Sequence, residues 1–345
     1  MPAENKPTPA YSQSSGLGLV FFVLLMLTAD IWMFQKSFGG AENKLPHLNL
    51  NPFNTTAFII NNYDPADYGL ERPINILVLG KSGGKYIAPN LTDTIFVARL
   101  DPNPSPQLKI ISIPRDLAVK TTDQKTTKIN GLYQLGLRQS QQEGLNLIQT
   151  KVEEITGLKI DHFVLFDLAT VEKIIDDIGG VNVAIPENIY DPRFPSESGG
   201  YETFRLSSGL RYLNGKTALR VIRTRASPQG DFDRIKRQQA VLKAIKGKLL
   251  SLNPIWDFPR IWGIFRTVQK NVYTNLQIGE LKDIWSLVKQ MDLDNIQTLN
   301  LDPASGLVTE QKTIWNGQAV YILVAKNKSF EYTGIQVAVR EFLSK

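Results

Sequence analysis

The chain has 345 residues, 42% of them hydrophobic, with a formal net charge of +6, no cysteine and two histidines. Without cysteine there are no disulfides, thiolate metal sites or cysteine nucleophiles, and His47 and His162 alone argue against a multi-histidine metal centre or a serine–histidine triad. The positive excess is too small to indicate nucleic acid without a motif, so catalysis would fall to carboxylates, arginines and a hard, oxygen-ligated ion.

Residues 1–15 are polar and rich in proline and serine, the composition of a disordered tail. Residues 16–35 are almost continuously apolar, interrupted by Gly18, Thr28 and Asp30. That length suits a membrane span better than a signal-peptide core, and no small-residue cleavage site follows it. Residues 36–72 are rich in Asn, Pro and Gly without a sustained period, as in a stalk.

A globular region is expected over 73–345. Residues 74–79, 94–100 and 108–113 read as buried strands. Between the first two lies GKSGGKYIAPNLTD, a glycine-containing loop that lacks the spacing of a Walker motif and ends on Thr92 and Asp93. Arg115 and Asp116 follow the third strand at its C-terminal end, the edge where open α/β sheets place ligands. A helix is expected over 142–155, a strand over 162–166 with His162 in a structural role, a helix over 169–178 and a strand over 181–185. The stretch 190–206 reads as an irregular surface loop. Helices are expected over 254–272, where aromatic residues suit a core more than a greasy groove, and over 278–291 and 335–343. Late strands are expected at 298–301 and 320–324. Strands alternating with helices indicate an α/β, layered domain.

The densest chemistry lies in 213–250, where Arg220, Arg223, Arg225, Arg234, Lys236 and Arg237 crowd together with Asp231 and Asp233. Val221 and Ile222 suggest a short strand that puts Arg223 and Arg225 on one face. Asp231 or Asp233 is placed to cap a new helix, on which Arg234 and Gln238 share a face. Such an arrangement makes a cradle for a phosphate-rich anion, against the plainer alternative of a solvated basic face.

Six segments occur in a telling order after an N-terminal span and a strand ending in LVLG: LTDTIFVARLDP, IISIPRDL, KINGLY, DDIGGVNVAIP, LNGKTALRVIRTR and GDFDRIKRQQAVL. Over residues 74–250 the chain resembles the LytR–CpsA–Psr family of bacterial cell-wall ligases. The resemblance implies a three-layer α/β/α domain with a central mixed sheet, held outside the cytoplasm by a single span whose N-terminus is cytoplasmic. It implies a phosphotransferase that moves a glycopolymer phosphate from a polyprenyl-pyrophosphate carrier to a muramic-acid hydroxyl of peptidoglycan, with Mg²⁺ or Mn²⁺ assisting.

Asp93 matches the family's metal-binding aspartate. Arg115, Arg223, Arg225, Arg234 and Gln238 match its pyrophosphate-binding positions, and Asp231 matches an active-site carboxylate that would act as base, fix Arg234 or cap the helix. Lys128 and Asn130 match a further motif. Many members carry an aspartate just after the first strand's glycine, where this chain has Lys81, Ser82, Gly83 and Gly84. One expected metal ligand is therefore missing. The rival readings are a polyprenyl-pyrophosphate hydrolase and a non-catalytic polyprenyl-lipid binding protein; a nucleic-acid regulator is disfavoured by the absence of a helix-turn-helix or basic–aromatic platform.

Overall fold

A computed structural model describes residues 72–83, 88–102, 106–196, 200–224, 226, 231–253, 256–291, 296–315, 317–326 and 329–345. The expected tail, membrane span and, apart from Arg72, stalk lie outside the described residues, among which no helix is long and apolar enough to cross a membrane. Arg225 and the side chains of Asp231, Arg234 and Gln238 also lie outside them.

In chain order the strands β1 (Ile74–Lys81), β2 (Thr92–Asp101) and β3 (Gln107–Ser112) lead into the small strands β4 (Ala118–Lys120) and β5 (Thr126–Lys128). Two helices follow, α1 (Leu132–Gly136) and α2 (Gln141–Thr156), then β6 (His162–Asp167), α3 (Leu168–Asp177) and β7 (Val181–Ile185). Next come β8 (Ile189–Pro195), β9 (Tyr201–Leu206), β10 (Gly209–Leu213), α4 (Gly215–Arg223) and α5 (Asp231–Leu250). The chain ends with α6 (Phe258–Asn271), β11 (Tyr273–Thr274), α7 (Ile278–Gln290), β12 (Gln297–Asn300), β13 (Val308–Trp315), β14 (Gln318–Ala325) and α8 (Thr333–Ser344).

Six strands form the central sheet in the order β11-β6-β1-β2-β3-β12. It is mixed: β1 runs antiparallel to β2 and parallel to β6, while β3 runs antiparallel to β2 and parallel to β12. Because strand side chains alternate, β1 feeds two cores. Ile76 and Val78 join Phe96, Ile110 and Val164 under α3 to α7, whereas Leu77 and Leu79 join Ile95, Ile111 and Leu165 under α2 and α8. This is the expected three-layer α/β/α arrangement, and it explains why β1 is apolar on both faces from Ile76 to Leu79: both its faces are covered. Truncating fully buried Phe96 to alanine would cost about 3–5 kcal/mol.

Local signals set the helix ends. Ser140 accepts from the Glu143 amide at 3.0 Å at the start of α2, and Asp167 accepts from the Thr170 amide at 2.8 Å at the start of α3. His162 begins β6 with Nε2 3.3 Å from Glu280 Oε1, a structural placement. In the aromatic stretch α6 buries Ile264 and Val268, while Trp262 and Phe265 stack on each other at 5.4 Å and Trp256 is 83% exposed. The core contact there is thus aliphatic rather than aromatic.

Two expectations are corrected. Val221 and Ile222 belong to helix α4, not to a strand. A two-residue apolar pair carries no period, whereas Ala218, Leu219, Val221 and Ile222 together make a buried helical stripe after the Asn214 cap, which accepts from the Thr217 amide at 2.9 Å. The stretch 190–206 is a β8–β9 hairpin rather than an irregular loop. A register shift between Asp191 and Phe194 interrupts its alternation and hides the strand from a period-two reading.

Candidate functional site

The first cluster of charged groups stands where β1 ends and β2 begins. The β1–β2 ladder shifts register between Gly80 and Lys81, and Gly83 turns the chain with φ +88°, its amide donating to the Pro89 carbonyl at 3.0 Å. That turn brings Ser82 over Asp93, and the Ser82 hydroxyl donates to Asp93 Oδ2 at 2.6 Å. Arg115, just beyond β3, donates from NH1 to Asp93 Oδ1 at 2.9 Å. Its Nε lies 3.5 Å from Asp116 Oδ2, an ion pair that leaves this buried N–H without a hydrogen bond. Lys128 Nζ completes the chain of charges at 2.5 Å from Asp116 Oδ1.

Burial opposes the charge on Arg115, but Asp93 and Asp116 more than reverse this, and its pKa is raised further above an already high value. The guanidinium therefore stays charged in a partly buried place. The segment bearing Lys128 and Asn130 is pinned beneath it. The Asn130 amide donates to the Arg115 carbonyl at 3.3 Å, the Ile129 amide to the Leu117 carbonyl at 2.8 Å, and the Thr92 hydroxyl to the Asn130 carbonyl at 3.3 Å.

A second cluster forms at the end of α4. This helix starts against α3: the Gly215 amide donates to Asp176 Oδ1 at 2.7 Å, and a Cβ on Gly215 would fall 2.0 Å from the Glu172 carbonyl oxygen. Arg223, its last residue, places its guanidinium 5.5 Å from the Phe194 ring centroid. Arg220 lies 5.8 Å from the Phe194 and Phe204 centroids and donates to Glu202 Oε1 at 2.6 Å. The β8–β9 hairpin is thus a backing for the arginines, holding them by ring faces and a carboxylate.

Of the expected site residues, Asp93 and Arg115 meet directly, joined by Ser82, Asp116 and Lys128. Arg223 stands in the second cluster. Arg234 and Gln238 lie in the backbone of α5, whose first residue is Asp231, while Arg225 is outside the described residues. Sequence reasoning did not single out Asp191, Phe194 or Glu202, which lie outside the quoted segments, nor Thr224, which lies within one between Arg223 and Arg225.

The residues near Asp93 supply oxygen donors of the hard kind. Among the described residues no three carboxylates or histidines converge on one point. Asp93 and the Ser82 hydroxyl fit a magnesium- or manganese-like ion that takes few protein ligands and leaves the rest of its shell to water and phosphate oxygens.

The LytR_cpsA_psr family model matches residues 48–333. A cell wall biosynthesis protein described as probable LcpB of Corynebacterium glutamicum is 30% identical over 223 residues, covering 64% of this chain and 46% of that protein. The chain thus spans about half the length of that relative. A polyisoprenyl-teichoic acid–peptidoglycan teichoic acid transferase, TagU of Bacillus licheniformis, is 26% identical over 274 residues, covering 78% of this chain and 79% of the relative. In fold, the crystal structure of B. subtilis TagV superposes with a TM-score of 0.54 at 24% identity, covering 79% of this chain and 98% of that one. The family match spans both clusters and the whole sheet, and the chain belongs to the LytR_cpsA_psr family.

Proposed function

We propose that this protein is a cell-wall glycopolymer transferase: it moves a phosphoglycan from a polyprenyl-pyrophosphate carrier to a muramic-acid hydroxyl of peptidoglycan. The observation that carries this reading is Arg115, fixed between Asp93 and Asp116 at the C-terminal end of β3. Kinship with a relative named as a polyisoprenyl-teichoic acid–peptidoglycan transferase supports the substrate class.

In the reaction the acceptor oxygen forms a bond to the phosphorus nearer the sugar. The bond from that phosphorus to the bridging oxygen breaks, and polyprenyl phosphate leaves with the electron pair. The acceptor's proton passes to a base, a role we assign to Asp231 at the start of α5. Charge on the transferred phosphoryl and on the departing phosphate is met by Arg115, Arg223, Arg225 and Arg234, with Gln238 as a neutral donor. Planar guanidiniums suit phosphate oxygens and cost little reorganisation when already held by carboxylates or ring faces. Asp93 and Ser82 would hold Mg²⁺ or Mn²⁺. Such an ion supplies neutralisation of the pyrophosphate oxygens. The span at 16–35 would keep the domain on the outer face of the membrane, beside its lipid-linked donor.

The test is to incubate the full-length protein in detergent with a polyprenyl-pyrophosphate glycan and peptidoglycan fragments, following polyprenyl phosphate and glycan attachment by mass spectrometry. Attachment that is lost in Arg115→Ala and Arg234→Ala supports transfer. Sugar phosphate released without attachment would convert the reading to a hydrolase. The replacement of the expected aspartate by Lys81 and Ser82 favours, as a second reading, a non-catalytic polyprenyl-lipid binding protein; tight lipid binding without turnover under Mg²⁺ or Mn²⁺ would establish it.

A further inference from the structure

Thr224, which follows Arg223 at the end of α4, is tightly constrained. Thr224 is 1% exposed and leaves α4 with extended backbone, φ −64° and ψ 141°. Each of its polar groups is engaged. Its amide donates to the Arg220 carbonyl at 2.9 Å, its hydroxyl to Asp191 Oδ2 at 2.7 Å, and its carbonyl accepts from Arg237 NH2 at 2.9 Å. Asp191 comes from β8 and Arg237 from α5, so three separate elements fix one residue.

Asp191 is itself an unusual group for its place. It is 7% exposed, and its second oxygen accepts from the Arg193 amide at 3.1 Å. Burying a carboxylate is costly unless its oxygens are bonded and opposite charge is near. Here the Thr224 hydroxyl and the Arg193 amide supply the bonds, and Arg237, donating to the very residue Asp191 holds, supplies a nearby cation. Nothing in the transfer chemistry requires this carboxylate to touch a substrate.

We propose that Asp191 is a positioning residue that sets the aim of Arg223 through Thr224. Thr224 directly follows Arg223, the last residue of α4, so fixing its backbone and hydroxyl fixes where the helix ends and where Arg223 departs from it. The Asp191–Thr224 bond therefore holds the end of α4 against the β8–β9 hairpin, where Phe194 backs the Arg223 guanidinium, and makes that end a fixed anion seat. Preorganisation of this kind lowers the cost of ordering side chains when a polyanion binds. The bond is local to the seat, so it acts on donor binding and turnover rather than on the sheet. The identity of the anion as a polyprenyl pyrophosphate rests on the function proposed above.

The experiment uses the full-length protein and four variants: Thr224→Val, Thr224→Ser, Asp191→Asn and the Thr224→Val/Asp191→Asn pair. Two readouts run in parallel, kcat and KM on a polyprenyl-pyrophosphate glycan and the Kd for inorganic pyrophosphate by calorimetry, with thermal unfolding as a control. Thr224→Val keeps the shape but deletes the donor, and is expected to lower kcat/KM and weaken pyrophosphate binding about tenfold. Thr224→Ser restores the hydroxyl and returns both values to within about threefold of wild type. Asp191→Asn in the Thr224→Val background adds little, because the two share one bond. Values within about twofold of wild type for Thr224→Val, effects that multiply in the pair, or losses that vanish at a temperature where every variant is folded would overturn the proposal. A wild type that binds pyrophosphate without turning over the glycan would sink the transferase reading and leave the Asp191 test readable through Kd. A wild type that binds neither would overturn both.

Discussion

Asp93 and Arg115 share a hydrogen bond of 2.9 Å, and the other oxygen of that same carboxylate is held by Ser82 at 2.6 Å. The aspartate is thus the hub between a fixed cation and a hydroxyl that stands where the family resemblance leads to the expectation of an acid. Its position explains how the loop after β1 and the turn after β3 become a single unit.

Arg115→Lys is expected to lower donor turnover about 100-fold while leaving the fold intact, because an ammonium cannot match the planar fork that spans Asp93 and Asp116. Steady-state kinetics on the glycan donor, together with thermal unfolding, checks this. Equal kcat and KM in the variant would show that the guanidinium is only structural.

Replacing Ser82 by aspartate puts a second carboxylate next to Asp93. Binding of Mn²⁺, followed by electron paramagnetic resonance without substrate, should tighten by about tenfold or more, since affinity for hard cations grows with ligand charge. Unchanged affinity would mean that the ion is not held at Asp93.

Gly215→Ala should cost about 2–4 kcal/mol in denaturant unfolding, because its Cβ would lie 2.0 Å from backbone oxygen in α3 and no side-chain rotation can relieve that. The same change would displace the start of α4 and with it Arg223. A loss below about 0.5 kcal/mol would show that α4 is not seated on α3.

Asp161 gives a pH prediction. Burial pushes its carboxyl up, but the Arg72 hydrogen bond, the Asn75 amide and the charges of Arg72 and His162 more than reverse this, so its folded pKa is lowered. A depressed folded value means that its contribution is full above the unfolded value of about 3.9 and is lost as pH falls through the folded one. Wild type should therefore melt above Asp161→Asn at pH 7, with the gap closing in acid below that unfolded value. A gap independent of pH would assign the stabilisation to shape rather than charge.

Much of the sheet was legible because its strands are covered on both faces, so 74–79 and 94–100 read as largely apolar runs, broken by Asn75 and by Thr94 and Arg99. Helix α2 was legible from the stripe of Leu145, Ile148, Val152 and Ile155. The misreading of Val221 and Ile222 came from judging two residues without the Asn214 cap seven positions earlier. In the site, Asp93 and Arg115 stood out because they sit at strand ends within recognisable segments. Asp191 did not, since its partner Thr224 is 33 residues away and a bulge disguises its strand. Sequence periodicity reports which face of an element is buried; it carries no record of which distant hydroxyl a buried acid will meet.

The pairing of β12 with β3 has a consequence for biogenesis. Thr298 lies beside Ile110, so the edge of β3 stays open until β12, far downstream of it, has been made. Until then a growing polypeptide presents an unpaired row of amides and carbonyls flanked by Leu108, Ile110 and Ile111, the kind of template that recruits other strands. Completion of the sheet must wait for β12, and its folding should be slow and sensitive to truncation before Gln297.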